Sequence, residues 1–223
     1  EATCPFCPGN EERDLEIARF PGEGPWQVRI VGNRYPALRP AAPLEREFMG
    51  LMRRITGVGY HEVIVESPVH NTCAALESEE SVARVFQAFV ERAWAVQNDP
   101  RIEYVLFFKN HGRQAGASLR HPHAQMMALP MVPSEVRVRA DAARAYFDET
   151  GRCAHCAMVE QELAAGQRVV LESKHFVVFV PYAAASPFHL WIVPRAHAAS
   201  FLQSSPDEIA DLGWVVRAVL RKL

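Results

Sequence analysis

Two stretches of the sequence decide the fold: HEVIVESPVH at residues 61–70 and HLWIVPRAH at residues 189–197. Each is a run rich in β-branched and apolar residues that ends in a histidine, and each is followed by a helical pattern. A Cys-x-x-Cys pair precedes each of them, CPFC at residues 4–7 and CAHC at residues 153–156. This self-similarity predicts that one structural unit occurs twice in the chain.

Each unit combines strands and helices. Strands are predicted where β-branched and aromatic residues cluster, at residues 26–31, 61–66 and 104–109. A helix is predicted at residues 79–96, with Ser78 as its N-cap and an apolar stripe at helical spacing. Another helix is predicted from Ser205, because the run SPDE joins an N-cap serine, a first-turn proline and a capping-box glutamate. The fold class is therefore α+β, with antiparallel sheets and packed helices.

The two units divide the chain unequally. The first spans residues 1–150 and includes the strand at 104–109 and the HPHAQ run at 121–125. In the second unit, residues 151–223, the counterparts of these two segments would fall beyond position 223. We therefore expect the second unit to be incomplete in this chain.

Composition excludes some classes of function. The 223 residues carry 24 Lys and Arg against 26 Asp and Glu, a formal charge of -2, and no local basic cluster, so no nucleic-acid partner is expected. Residues 175–194 contain no charged side chain except histidine and are long enough to span a bilayer. Three prolines interrupt them, so they are predicted to form two buried strands, and no membrane partner is expected.

The densest group of reactive side chains lies in NHGRQAGASLRHPHAQ, residues 110–125. We expect His121 and His123 to face opposite sides of an extended segment, so that one can bind a metal while the other faces a cleft. The small residues AGAS before them allow a ligand to approach the backbone closely, which suits a phosphate bound by peptide N–H groups and the Ser118 hydroxyl. Either histidine alone could be a hydrogen-bonded structural residue, but the whole cluster indicates a functional site.

The cysteines favour metal binding over disulfides. Four of the five form the two Cys-x-x-Cys pairs, a pattern typical of zinc sites and of a reducing cytosol rather than a secreted context. The first predicted zinc site is a closed shell of two thiolates and two imidazoles, with no position left for substrate, and its ligands are Cys4, Cys7, His70 and His121. The alternative is a surface or redox-active cysteine pair.

The repeat predicts a second zinc site with the ligands Cys153, Cys156 and His197. The residue that would correspond to His121 falls beyond position 223. We therefore expect the fourth ligand outside this chain, unless His175 or His189 takes its place.

These motifs together resemble the galactose-1-phosphate uridylyltransferase family of the histidine-triad superfamily. The resemblance is carried by CPFCPGNE, WQVRIVGNRYPAL, SPVH, the 110–125 stretch, and CAHC with PRAH. It implies a duplicated histidine-triad fold, zinc, a homodimer, and a nucleotidyl transfer between a nucleotide sugar and a sugar phosphate. CAHC and PRAH resemble the branch of the family with two zinc sites, which includes nucleotide-sugar phosphorylases.

The resemblance also implies roles for individual residues. It places the nucleophile at His123 and a phosphate-contacting glutamine at Gln125. Asn33 matches a nucleotide-contacting asparagine, and Asn110 and Ser118 match phosphate-contacting positions. The four ligands of the family's zinc site map onto the residues of the first predicted site.

The predicted function is that of a cytoplasmic UDP-glucose:hexose-1-phosphate uridylyltransferase that works through a covalent nucleotidyl-histidine. A nucleotide-sugar phosphorylase or hydrolase that uses the same intermediate is the alternative within this chemistry. A zinc-stabilised nucleotide-binding module without turnover is the alternative from another class. A zinc-ribbon interaction protein is disfavoured, because it would need basic or aromatic exposed faces.

Overall fold

The computed structural model describes residues 3–223, which form two compact units. The first unit contains the residues up to Cys73 together with Arg84–Val132, and the second contains Ala74–Ala83 together with Pro133–Leu223. Among the described residues, no helix has both the length and the apolar character needed to cross a membrane.

The first unit is built on an antiparallel sheet. Its strands are β1 (Glu16–Phe20), β2 (Val28–Gly32), β5 (Tyr60–Val65), β6 (Tyr104–Phe108) and β7 (His123–Leu129), and their order across the sheet is β1-β2-β5-β7-β6. A separate hairpin is formed by β3 (Arg46–Met49) and β4 (Met52–Ile55), whose side chains are almost all exposed. The central strands of the sheet are β2, β5 and β7, so the side chains they carry occupy its middle.

One face of this sheet packs against helix α1 (Glu79–Val96). Side chains alternate between the faces of a strand, and in β7 this buries Ala124, Met126 and Ala128 in a core with Val85 and Phe89 of the helix. The helix begins as predicted, because the Ser78 hydroxyl accepts a hydrogen bond from the Ser81 N–H at 3.1 Å. The opposite face of the sheet is left for the polar residues of β5 and β7.

The second unit combines a smaller sheet with helices. Its elements are α2 (Ser134–Thr150), α3 (Ala154–Ala165), β8 (Val169–Glu172), β9 (Phe176–Phe179), β10 (Trp191–Pro194) and α4 (Pro206–Leu220). The strands pair antiparallel in the order β10-β9-β8. Val159 of α3 packs against Val177 and Phe179 of β9 in the core of this unit. Residues 175–194 therefore contain two paired strands, as predicted, with β9 fully buried and β10 partly so.

Helix α4 begins with the predicted capping box. The Ser205 hydroxyl accepts from the Glu208 N–H at 3.3 Å, and the Glu208 carboxylate accepts from the Ser205 N–H at 2.7 Å. Its Gly213 lies against the first turn of α1, where an added Cβ would come within 2.7 Å of the Glu79 carbonyl oxygen and the Ala83 Cβ. Only glycine allows so close an approach at that position.

The α+β class with antiparallel sheets is confirmed, whereas the duplication of a histidine-triad-like unit stays a prediction. The strand expected at residues 26–31 begins two residues later, at Val28. Trp26 precedes the strand and packs with Val31, Val63 and Val65 on the sheet face opposite α1. The elements not predicted are β1, the β3–β4 hairpin, β8, α2 and α3, and of β7 only an extended segment at His121 and His123 was expected.

Candidate functional site

The site of the first unit lies on the sheet face opposite α1. On that face the central strands align their side chains in rows: Val31 of β2 and Gln125 of β7 flank Val63 of β5, and Val65 pairs with His123. His123 and Gln125 are next to each other on one side of β7, because residues two apart in a strand point the same way. The neighbouring residues of β2 and β5 on this face are apolar, so the two polar residues lie beside an apolar surface.

The structure brings Cys4, Cys7, His70 and His121 together. Their ligand atoms all lie within 4.8 Å of one another, and all but His70 are buried. The Cys7 sulfur is 3.3 Å from His70 Nδ1 and 3.6 Å from His121 Nδ1, and the Cys4 sulfur is 3.7 Å from His121 Nδ1. A group of two thiols and two imidazoles at this spacing could hold a metal ion.

A hydrogen bond orients His121 within this group. His121 Nε2 donates to the Ser67 carbonyl oxygen at 2.7 Å, so its Nδ1 carries the lone pair and faces the sulfur atoms. Burial raises the pKa of the Cys4 thiol and lowers the pKa of His121. Both shifts express the cost of a buried charge, and a bound cation would stabilise the thiolate against that cost.

His121 and His123 point to different places, but the reason we expected was wrong. Residues two apart in an extended segment share a side, so alternation cannot separate them. The structure separates them because only His123 belongs to β7, whereas His121 lies before the strand, on the other side of Pro122. Phe6, inside the CPFC pair, packs against both rings, with centroids 5.9 Å from His121 and 5.6 Å from His123.

His123 and Gln125 line a cavity of about 420 Å³. Asn33 and Ser118 also line it, so four of the residues expected to contact substrate meet at one place. Asn110, the fifth, is exposed and is not among the lining residues. Further lining residues that sequence reasoning did not select come from the CPFC loop, the turn before β1, β2 and the segment after β2: Pro5, Phe6, Leu15, Arg29, Val31 and Tyr35.

The orientation of His123 suits nucleophilic attack. Its Nδ1 lies 2.8 Å from the His121 carbonyl oxygen, which can only accept, so Nδ1 carries the proton. In the neutral ring the lone pair is then on Nε2, the nitrogen available to a ligand. The link to His121 joins the nucleophile candidate to the metal-ligating group through a single peptide carbonyl.

His61 is a site residue that the sequence reading missed. Its Nε2 lies 2.9 Å from Gln125 Oε1 and 3.1 Å from Asn33 Nδ2, and its Nδ1 accepts from the Ala37 N–H at 3.0 Å. The signal was present, because His61 opens the HEVIVE strand and shares the face of Val63 and Val65. In the sequence pattern, that strand serves only to place His70.

In the second unit the structure brings Cys153, Cys156 and His197 together. The Cys156 sulfur is 3.3 Å from His197 Nδ1, and His197 is exposed while the cysteines are partly buried. The backbone N–H of Cys156, in the first turn of α3, lowers the pKa of the Cys153 thiol. Neither His175 nor His189 joins this group within the described residues; His175 Nε2 instead lies 2.8 Å from Asp207 Oδ2.

Family models match almost the whole chain. The model described as the N-terminal domain of galactose-1-phosphate uridyl transferase matches residues 1–133, and the model of its C-terminal domain matches residues 139–223. Over the full length of this chain, the sequence is 37% identical to the ADP-glucose phosphorylase of Arabidopsis thaliana. Over 98% of this chain, it is 30% identical to the galactose-1-phosphate uridylyltransferase of Thermotoga maritima. The chain spans 63% and 66% of the lengths of these two relatives.

A solved structure agrees with the sequence comparisons. The crystal structure of an ADP-glucose phosphorylase from Arabidopsis thaliana with bound ADP-glucose superposes with a TM-score of 0.84 and 35% identity, covering 99% of this chain and 68% of that one. Both family models and this likeness apply to the residues that carry the CPFC, HPHAQ and CAHC motifs. The chain therefore belongs to the galactose-1-phosphate uridyl transferase family.

Proposed function

We propose that the protein transfers a nucleotidyl group between a nucleotide sugar and a hexose 1-phosphate, with UDP-glucose as donor and galactose 1-phosphate as acceptor. The observation that carries the proposal is the placement of His123. Its Nδ1 is held by the His121 carbonyl at 2.8 Å while the ring lines the same cavity as Gln125. This arrangement leaves one nucleophilic nitrogen beside an amide that can bind a phosphate oxygen.

The reaction has two displacements. In the first, His123 Nε2 attacks the α-phosphorus, a nitrogen–phosphorus bond forms, the bond to the bridging oxygen breaks, and hexose 1-phosphate leaves with that electron pair. In the second, a phosphate oxygen of the incoming hexose 1-phosphate attacks the same phosphorus and His123 is released. The His121 carbonyl stabilises the cationic ring while it carries the nucleotidyl group, because Nδ1 keeps its proton throughout.

Gln125 supplies the electrostatic part of the proposal. Charge builds on the non-bridging oxygens as the phosphorus is attacked, and an amide N–H donor aimed at them stabilises the transition state more than the ground state. Asn33 and Ser118 line the same cavity and are proposed to contact the nucleotide and the phosphate. Asn110 is retained as a proposed phosphate contact only through the family resemblance.

We propose zinc as the metal of both cysteine-histidine groups. Ligand atoms about 2.3 Å (sulfur) and about 2.0 Å (nitrogen) from a tetrahedral zinc ion lie roughly 3.6 Å from each other. The sulfur-to-nitrogen distances of 3.3, 3.6 and 3.7 Å in the first group fit that spacing. With four protein ligands this zinc would fix the segment that carries His123 and take no part in the chemistry.

The assembly and location are also proposals. The family resemblance supports a homodimer, which light scattering on the purified protein can test. A cytoplasmic location is supported by the pairing of four cysteines in two candidate metal groups and not in disulfides, a use of cysteine that suits a reducing compartment.

Isotope exchange tests the function directly. The protein is incubated with UDP-glucose and labelled glucose 1-phosphate, with no other acceptor present. A covalent nucleotidyl-enzyme predicts that label enters UDP-glucose, because the first half-reaction is reversible on its own. Tight binding of UDP-glucose and ADP-glucose without exchange of either would instead establish a binding module.

A nucleotide-sugar phosphorylase is the second candidate, favoured by the 37% identity to the Arabidopsis ADP-glucose phosphorylase. It would use the same His123 adduct and discharge it to inorganic phosphate. Comparing inorganic phosphate with galactose 1-phosphate as acceptor, for both UDP-glucose and ADP-glucose, separates the two candidates. The proposed transferase predicts faster turnover with galactose 1-phosphate and UDP-glucose.

A further inference from the structure

A short chain of polar contacts links the loop after β2 to Gln125. The Ala37 N–H donates to His61 Nδ1 at 3.0 Å, and His61 Nε2 lies 2.9 Å from Gln125 Oε1. The Tyr35 N–H donates to Asn33 Oδ1 at 2.9 Å, and Asn33 Nδ2 lies 3.4 Å from Gln125 Oε1. All of these residues lie in the first unit, and Asn33, Tyr35 and Gln125 line the cavity.

The two backbone N–H groups determine which atom donates and which accepts in each of these contacts, because a peptide N–H can only donate. Since His61 Nδ1 accepts from Ala37, the proton of the neutral ring is on Nε2, and that nitrogen must donate. Its acceptor at 2.9 Å is then the oxygen of the Gln125 amide and not its nitrogen. The direction of the amide follows from this network and does not depend on how its oxygen and nitrogen are labelled.

Asn33 adds a second donor to the same oxygen. Its Oδ1 accepts from the Tyr35 N–H, so its Nδ2 group is the end that faces Gln125 Oε1 at 3.4 Å and His61 Nε2 at 3.1 Å. With the His61 proton on Nε2, the contact between Asn33 and His61 places two donors side by side and is not a hydrogen bond, and Gln125 Oε1 is the acceptor within reach of both. Gln125 Oε1 thus lies between two donors, and the Gln125 Nε2 group makes no hydrogen bond to another residue in the described part of the chain. The amide is held so that its two N–H donors remain available to the cavity.

We propose that His61 is a positioning residue, which turns the Gln125 amide so that Nε2 donates to the phosphoryl group being transferred. The inference rests on the proposed nucleotidyl transfer, which supplies the phosphate oxygen that Nε2 meets. His61 contacts Gln125 and is not among the residues that line the cavity. Without its donor, the amide can rotate by half a turn and present Oε1 to an anionic phosphate, which repels it.

A double-mutant cycle tests whether His61 acts through Gln125. His61→Leu is expected to lower kcat for nucleotidyl transfer by about 10- to 100-fold with little change in KM. The reason is that the hydrogen bond from the Gln125 amide, which this variant would lose, stabilises the transition state more than the bound substrate. Gln125→Ala is expected to lower kcat by about 100-fold or more. In the Gln125→Ala background, His61→Leu should cost less than about 3-fold further. Full additivity of the two losses would overturn the inference.

Two further variants separate positioning from a general effect on the fold. The amide of His61→Gln places a donor and an acceptor about as far apart as the two imidazole nitrogens, so it should recover most of the activity lost in His61→Leu. Tyr60→Phe is the matched control: it removes the hydrogen bond from Tyr60 to Asp99, at 3.2 Å, from the adjacent residue on the other face of β5. It should leave kcat within about 2-fold, since surface and peripheral losses are usually small. Equal losses in His61→Gln and His61→Leu would contradict the proposal.

A spectroscopic measurement tests the tautomer of His61 and its effect on Gln125 independently of the proposed function. Nitrogen-15 NMR of the histidine rings should show His61 as the neutral tautomer with its proton on Nε2. The side-chain amide resonances of Gln125 should shift in His61→Leu and not in Tyr60→Phe. A proton on Nδ1 of His61 would overturn the inference, whereas an absence of isotope exchange in the wild type, with the expected tautomer, would count against the proposed function alone.

Discussion

The two cysteine-histidine groups share one sequence pattern but differ in their surroundings. In the first unit four ligand residues converge and three of them are buried; in the second, three converge and His197 is exposed. Both groups contain a thiol 3.3 Å from a histidine Nδ1. The similar local geometry shows that the Cys-x-x-Cys pair and the distant histidine set the contact itself. The surrounding chain decides how much of the group is buried.

The two cysteine-histidine groups also differ in which segments of the chain they fix in place, and this difference bears on function. The fourth residue of the first group, His121, is two positions from His123 and is bonded to it through its carbonyl at 2.8 Å. The second group holds the start of α3 and the segment after β10, and neither carries a residue of the described cavity. We therefore expect the first group to support both stability and chemistry, and the second to support stability locally.

The largest expected difference is in stability. His70→Ala should remove one metal ion per chain and lower the free energy of unfolding by about 3 kcal/mol or more, because the buried thiols lose the ion that stabilises them. His197→Ala should also lower the metal content but cost less than about 1 kcal/mol, because His197 is exposed and the two cysteines are only partly buried. Metal analysis and denaturant unfolding of both variants check this. Equal losses of stability would show that burial does not distinguish the groups.

The next expected difference is in catalysis. His70→Ala should slow nucleotidyl transfer about 10- to 100-fold, since loss of the ion frees His121 and with it the position of His123. His197→Ala should slow it by less than about 3-fold. Single-turnover rates with UDP-glucose measure both effects. A slower reaction in His197→Ala than in His70→Ala would reverse the assignment of the two groups.

Metal release should follow exposure. When the zinc-loaded protein is mixed with a chromogenic chelator, we expect two phases, with the second group releasing its ion on the order of 10-fold faster. A chelator reaches a half-exposed site with three protein ligands more easily than a buried site with four. The fast phase should disappear in His197→Ala and the slow phase in His70→Ala. Release of both ions in a single phase would contradict the expected difference between the two groups.

The smallest expected effect comes from the helix cap in the second unit. Ser205→Ala removes the hydroxyl half of the capping box on α4, leaves the backbone N–H that donates to Glu208, and should lower the free energy of unfolding by about 1 kcal/mol. Because Ser205 lies in the second unit, metal binding by Cys4 and Cys7 should be unchanged. Thermal unfolding and metal content of the variant check the two statements. A loss of the first metal ion in Ser205→Ala would show that the two units do not behave separately.

Helices α1 and α4 could be predicted because local signals and tertiary packing agree. Ser78 and Ser205 cap them, and regular apolar stripes fill their buried sides. The β3–β4 hairpin could not be predicted, because Phe48, Leu51 and Met52 are exposed and leave no alternation that reflects a core. Helix α2 could not be predicted for a similar reason: none of its residues is buried, so its sequence has no apolar stripe that reflects a core.

In the site, the sequence predicted most of the residues that meet, but it placed Asn110 there, missed His61, and did not predict how the side chains are oriented. The group of two thiols and two imidazoles that could hold a metal ion was predicted from residue types and spacing alone. The separation of His121 from His123 depends on where β7 begins, and the role proposed for His61 depends on a backbone N–H from Ala37 in a distant loop. Such contacts arise from tertiary structure, so a pattern in one strand cannot reveal them.

The central claim is that His123 carries the nucleotidyl group. UDP-glucose labelled in its α-phosphate is mixed with the wild-type protein, and the denatured protein is examined for bound label and mapped by mass spectrometry. We predict acid-labile label on the peptide that contains His123, and none in His123→Gly, with metal content and thermal stability kept in that variant. Wild-type protein that never acquires the label, or equal labelling of His123→Gly, would contradict the account.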